Sequence, residues 1–235
     1  MSLGTLYLIP TPLGDEQQPW LLPHEQSQVT HITHFVVEAE KTARKHLKAM
    51  GVTTPIRELH MSTLNEHSDD KTLPELIKPL LAGFDVGLVS EAGCPAIADP
   101  GANLVALAHK KGIPVQPLMG ASSIFLALMA SGANGQSFTF KGYLPADKAE
   151  RLKALKQLEQ TSHKHNETQI FIETPYRNQA VLEDALATLA PSTRLCIACD
   201  LTLPSQTIVS QTVANWPKAL PNLHKRPCIF IIHHQ

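Results

Sequence analysis

No lysine or arginine occurs in the first forty positions, the first being Lys41, so the leading segment lacks the basic stretch that opens a signal peptide or transit sequence. Long apolar runs are also missing. The longest, Ile124–Ala130, has seven residues, against the roughly 18 that a membrane-spanning helix needs. Charge is scarce: Asp, Glu, Lys and Arg make up 17% of the 235 residues, where roughly 25% is usual. Twenty basic against 21 acidic residues leave a net charge of −1, which argues against attachment to nucleic acid by bulk charge alone. Four cysteines, at 94, 196, 199 and 228, are too few for a disulfide scaffold in a chain this long and suggest a reduced, cytoplasmic protein.

Several familiar sites are absent as well. The chain has no G-x-G-x-x-G after a strand, no G-x-x-x-x-G-K-[ST], no G-x-S-x-G and no H-E-x-x-H, which removes support for the usual dinucleotide grip, nucleoside triphosphates, serine hydrolysis and zinc proteolysis. No repeat of roughly 20–50 residues marks a solenoid or propeller. Cys196-x-x-Cys199 falls on a predicted strand, where positions three apart face opposite sides, so two buried cysteines are expected rather than a metal or redox pair. The twelve histidines form no metal-ligand triad, and no metal is expected.

What is present is a rhythm. Short β-branched or aliphatic runs alternate with longer amphipathic ones, the pattern of α/β units around mostly parallel sheets. Strands are predicted at Leu6–Ile9, Thr33–Glu38, Ile56–Leu59, Val86–Ser90 and Val115–Leu118, with helices at Glu40–Met50, Leu73–Leu81 and Ala102–Lys111. Further on, helices are predicted at Ser122–Ser131, Lys148–Gln160 and Arg177–Leu189. Strands follow at Phe138–Lys141, Gln169–Glu173, Arg194–Ala198, Thr207–Thr212 and Cys228–Ile232. Asp15–Gln28, with two prolines, is expected to be irregular or a short broken helix, and 161–166 to be a polar loop. Two prolines and a glycine in Ile113–Gly120 mark a domain boundary, giving domains 1–118 and 119–235.

Two loops stand out. Ser90-Glu-Ala-Gly-Cys-Pro-Ala-Ile-Ala-Asp-Pro-Gly101 follows a buried strand, and small residues there admit a ligand close to the backbone. Pro10-Thr-Pro-Leu-Gly-Asp15 has the same grammar after the first strand, and the ends of strands one and four are expected to meet. Gly120-Ala-Ser-Ser123 opens an apolar helix whose free amides suit an anionic group, though a plain cap is as good a reading. Basic residues cluster at Lys41, Arg44, Lys45, Lys48 and at Lys148, Arg151, Lys153, Lys156. Such runs are usually solvated helix faces, although either could contact a polyanion.

With these residues laid out, the chain resembles the S-adenosylmethionine-dependent tetrapyrrole methylase superfamily, and within it the bacterial 16S rRNA ribose 2′-O-methyltransferase branch. The resemblance is carried in order by Gly4–Gly14, Leu88–Gly101, Ser137–Pro145 and Phe171-Ile-Glu-Thr-Pro-Tyr-Arg177. It implies two α/β domains with a cofactor cleft between them and usually a homodimer. Carried over by motif, S-adenosylmethionine meets Pro12 and Gly14, then Ala92, Gly93, Cys94 and Ile97, then Ser122 and Ser123. Glu173 with Thr174, and Pro227 with Cys228, close the far side. The chain departs from the branch at Glu38-Ala-Glu-Lys41 and Met119-Gly-Ala-Ser122, and it stops without the small C-terminal extension usual there.

The expected activity is methyl transfer to an rRNA ribose hydroxyl or a related acceptor. A tetrapyrrole or other small-molecule acceptor, and a non-catalytic cofactor-binding paralogue, are the alternatives. A ribose hydroxyl is a poor nucleophile at neutral pH and calls for a base; Glu38, Glu91 and Asp99 are the candidates.

Overall fold

The computed structural model describes residues 2–14, 20–65 and 67–234. The chain divides into two compact units, Met1–Ser122 and Ser123–Gln235.

The first unit carries β1 (Leu6–Ile9), α1 (Pro23–Val29), β2 (His34–Val37), α2 (Glu40–Met50), β3 (His60–Thr63), α3 (Leu73–Leu76), α4 (Lys78–Leu81), β4 (Val86–Val89), α5 (Gly101–Lys110) and β5 (Val115–Pro117). Its strands lie in the order β3-β2-β4-β1-β5, all parallel. A parallel sheet covered on both faces needs strands apolar on both sides, and β4, Val-Gly-Leu-Val, is buried at every position. Side chains alternate between two cores. Ile9, Phe35, Val37 and Val89 join Leu47 and Met50 of α2 on one face. Leu6, Val36, Val86 and Leu88 join Leu80 and Leu104 on the other.

The second unit carries α6 (Ser123–Ser131), β6 (Phe138–Tyr143), α7 (Lys148–His165), β7 (Thr168–Ile172), α8 (Asn178–Thr188), β8 (Arg194–Cys199), β9 (Thr207–Thr212) and β10 (Cys228–His233). Its strand order is β6-β7-β10-β8-β9. Here the expectation of a mostly parallel sheet fails. Only β6 and β7 are parallel; β10 runs antiparallel to both β7 and β8, and β8 to β9. The connection from β8 to β9 is too short to hold a crossover helix, so those strands can pair only head to tail. Phe171 and Phe230 stack at 5.2 Å on the face packed by α7 and α8.

Three further expectations are corrected. Residues 56–58 form a 3-10 turn, with the strand displaced to His60–Thr63. The helix expected at Leu73–Leu81 is two short helices meeting at Ile77, because Pro79 lies in the first turn of the second and cannot donate to a continuing helix. The supposed loop 161–166 is the last turn of α7, closed by Asn166 in the left-handed conformation. Of the two readings open for Asp15–Gln28, the short helix holds for the part that is α1, opened by Pro23; residues 15–19 lie outside the described residues.

The thiols also depart from expectation. Cys199 and Cys228 are paired as a disulfide, because the antiparallel register sets them directly opposite each other. Cys196, facing away from that pair, is a buried thiol whose pKa burial pushes up to about 11.

Arg151 of α7 is buried against Asp184 of α8, with Nε and Nη2 donating to one carboxylate oxygen at 2.9 and 2.7 Å. Its Nη1 donates to the carbonyls of Pro145 and Ala146. Removing one partner leaves a buried charge unbalanced. Asp184→Ala is therefore expected to cost about 3–5 kcal/mol, read as a shift of the urea midpoint at unchanged slope.

Candidate functional site

In the first unit the loops that follow three neighbouring strands converge. Thr11, just past β1, and Gly93, past β4, form an isolated antiparallel bridge. The Thr11 amide donates to the Gly93 carbonyl at 2.8 Å and the Gly93 amide returns a bond at 3.1 Å. The Thr11 hydroxyl also donates to Ser90 O, and the Ser90 hydroxyl to Gly93 O. Parallel neighbours normally diverge into separate crossovers, so this clasp is an addition to the sheet.

The third loop, after β5, closes on both. Gly120 sits where a Cβ would lie 2.1 Å from Pro10 Cβ, so only glycine lets the two backbones approach. Gly93 has φ +82°, and a Cβ there would stand 3.2 Å from Leu13 Cδ2 and 3.5 Å from Ala121 O. Cys94 Sγ faces the carbonyls of Gly120 and Ala121 at 3.9 and 3.6 Å, and burial raises its pKa. Pro12 and Gly93 are buried, while Gly14, Ala92 and Ile97 are exposed on the same loops. Ser122 ends this unit and Ser123 opens α6 of the other.

An aspartate stiffens the long loop. Both carboxylate oxygens of Asp99 accept from the Ala96 amide, and Oδ1 also accepts from the Gly101 amide at the start of α5. The clamp holds Ala96 and Ala98 at φ 65° and 62°, a region that alanine rarely adopts and that concentrates at ligand-binding loops. Two braces were not read from the sequence. Trp20 Nε1 donates to Pro10 O at 2.9 Å, and Glu25 of α1, itself buried, accepts from the Met119 amide at 2.8 Å. Their one signal is an acid and an indole in a run otherwise dismissed for its prolines.

Beside the clasp stand the three carboxylates raised as proton acceptors. Asp99 is spent on its loop. Glu91 is exposed and accepts from the Thr42 hydroxyl. Glu38, directly after β2, is half-buried, and its Oε1 accepts from the Glu91 amide at 3.0 Å. Among the described residues its Oε2 has no hydrogen-bond partner. Burial raises the Glu38 pKa above the usual carboxylate range, the amide bond opposes this, and the charges of Asp99 and Glu91 add to it.

In the second unit Glu173 follows β7 and Cys228 begins β10, beside the register pair Ile172–Ile229. Glu173 and Thr174, with Pro227 and Cys228, are therefore neighbours. The Glu173 side chain is fully buried, and Oε1 accepts from Arg177 Nη2 and the Thr174 amide, both at 2.6 Å. Its Oε2, with Arg177 Nε and Asn178 Oδ1, lacks any partner. Buried polar atoms left unpaired in this way are expensive unless something else meets them. The Cys228 side chain is bonded to Cys199, which leaves only its backbone for contact with a ligand. Among the described residues no group of three or more His, Cys, Asp or Glu is arranged to hold a metal.

Residues 25–217 match the model of the Tetrapyrrole (Corrin/Porphyrin) Methylases, and the chain belongs to that family. It is 30% identical over 231 residues to the Ribosomal RNA small subunit methyltransferase I of Vibrio cholerae, covering 97% of this chain and 76% of that protein. With the protein of the same name from Xylella fastidiosa it shares 34% over 220 residues, 93% and 76% of the two. Among solved structures, the methyltransferase CobJ superposes with a TM-score of 0.63 at 17% identity over the whole of both chains. The cobalt precorrin-4 methyltransferase CbiF gives 0.58 at 14%, over 97% and 94%. The chain is a methyltransferase.

Gly120→Ala is expected to push the loop after β5 off Pro10 and destabilise the fold by about 1–3 kcal/mol, measured by chemical denaturation. The control, Gly135→Ala, has no atom within 4 Å of the added Cβ and no left-handed backbone to strain.

Proposed function

We propose that the chain binds S-adenosylmethionine and methylates a ribose hydroxyl of small-subunit rRNA, acting in the cytoplasm as a homodimer. The observation that carries the reading is the three-loop clasp around Gly93, in a chain whose similar relatives bear the name of an rRNA methyltransferase.

The residues fit the cofactor. Pro12, Gly14, Ala92, Gly93, Cys94, Ile97 and Ser122 offer main-chain groups and small or apolar surface. In the second unit, Ser123, Thr174, Pro227 and Cys228 offer main-chain groups and small surface of the same kind. There the unpartnered Glu173 Oε2 is an acceptor of the kind a ligand hydroxyl satisfies. S-adenosylmethionine supplies a methyl group already activated by its sulfonium, so the protein mainly has to align and exclude water.

The remaining task is the acceptor's proton. Glu38 has a free carboxylate oxygen next to the Ala92-Gly93 turn and a raised pKa, which brings it nearer to neutral pH, where a general base is most effective. Glu38→Gln is expected to leave cofactor affinity unchanged and to lower kcat by about 10²–10⁴-fold. It should also abolish the acidic limb of the pH–rate profile. The stability sign is opposite: a carboxyl whose folded pKa is raised costs stability above that pKa and nothing below its unfolded value. Glu38→Gln should thus raise the melting temperature at pH 8 and not at pH 3.

Calorimetry with S-adenosylmethionine, followed by methyl incorporation into rRNA from cells lacking the gene, tests the function. Gly93→Asp is expected to abolish binding. Binding without incorporation into RNA would instead favour a small-molecule acceptor, the reading that the near-neutral charge supports.

A further inference from the structure

The two basic runs have different fates. On α7, Arg151 is buried with Asp184, Lys148 approaches the same carboxylate at 3.3 Å, and Lys153 pairs with Glu150 at 2.7 Å. That run is largely neutralised by its own surroundings. On α2, Arg44 pairs with Glu40. Lys41, Lys45 and Lys48 are exposed and make no ion pair among the described residues.

Helix geometry turns these lysines into one feature. At about 100° per residue, positions 41, 45 and 48 fall within roughly 60° of one another and span about 10 Å along the axis. The opposite face of α2, Ala43, His46, Leu47 and Met50, is buried, so the stripe points outward by construction. Three like charges at i, i+4 and i+7 repel, a cost with no return inside the fold. The stripe also has a direction. α2 begins two residues after Glu38, and Thr42 in its first turn donates to Glu91. A strand lying along α2 thus runs toward the carboxylate left free beside the clasp.

We propose that the Lys41–Lys45–Lys48 face of α2 is the track for the acceptor RNA, holding backbone phosphates and so delivering a ribose to the Glu38 end. The proposal rests on the rRNA reading given above and adds which surface takes the RNA. It reconciles a net charge of −1 with a polyanionic substrate, because recognition needs a local row of cations and not an overall positive charge.

The triple variant Lys41→Gln/Lys45→Gln/Lys48→Gln tests this, with Lys153→Gln/Lys156→Gln as the control. Binding of a small-subunit rRNA fragment is measured as a function of salt, alongside methyl-transfer kinetics, S-adenosylmethionine affinity and thermal unfolding. Three phosphate contacts at about 0.7 each predict that the slope of log K against log salt falls in magnitude by about 2. The KM for RNA should rise at least tenfold, with kcat at saturation, cofactor affinity and melting temperature unchanged and the control like wild type. An unaltered slope and KM in the triple variant, or an equal loss in the control, overturns the track and leaves the rRNA assignment intact. If the wild-type protein binds the cofactor but neither binds nor methylates RNA, both readings fall.

Discussion

Two backbone hydrogen bonds between Thr11 and Gly93 set the character of the first unit. Each bond is modest in net free energy, about 1 kcal/mol, but together they fasten the loops after β1 and β4 to one another at the carboxyl edge of the sheet. Everything else near them reads as support for that contact. Gly120 lets the loop after β5 come in against Pro10, Asp99 fixes the far end of the long loop, and Trp20 and Glu25 brace the loops after β1 and β5 respectively. A surface held in shape before a ligand arrives spends less of its binding free energy on ordering itself.

Much of this was legible in the residues. Strands β1, β2, β4 and β5 could be read because a buried parallel sheet demands continuous aliphatic runs, and the Gly-Ala-Pro composition after β4 marked a loop that something approaches. The convergence of loops one and four follows from adjacent strand ends. The antiparallel register of the second sheet was hidden, since β7 and β10 look alike whether they pair parallel or antiparallel. Only the short β8–β9 connection distinguishes the two cases. The pairing of Cys199 with Cys228 followed from that unseen register. Glu25 and Trp20 escaped notice because Pro19 and Pro23 mask a seven-residue helix that begins at the second of them. Glu38 was visible as one of three acids, but singling it out required knowing that Asp99 is engaged with amides and Glu91 is exposed.

Electrostatics divides the first unit by task. Small, neutral main-chain surface lines the clasp, which suits a donor carrying its own positive sulfur. Carboxylates at its side hold one oxygen in reserve, at a cost in stability that the raised Glu38 pKa records. A row of three cations lies on the outward face of α2, where desolvation is slight and three exposed ammonium groups can stay charged. In the proposed role as base, Glu38 sets stability and chemistry against each other.

The claim on which the account turns is that the Thr11–Gly93 clasp exists before any ligand binds. Amide hydrogen exchange at Thr11 and Gly93, followed residue by residue in the free protein and again with saturating S-adenosylmethionine, tests it most directly. Both amides should already exchange slowly in the free protein, at rates close to those of the β4 amides, and more slowly still with the cofactor. Exchange at the rate of an unstructured loop in the free protein, unchanged on addition of the cofactor, would contradict the account.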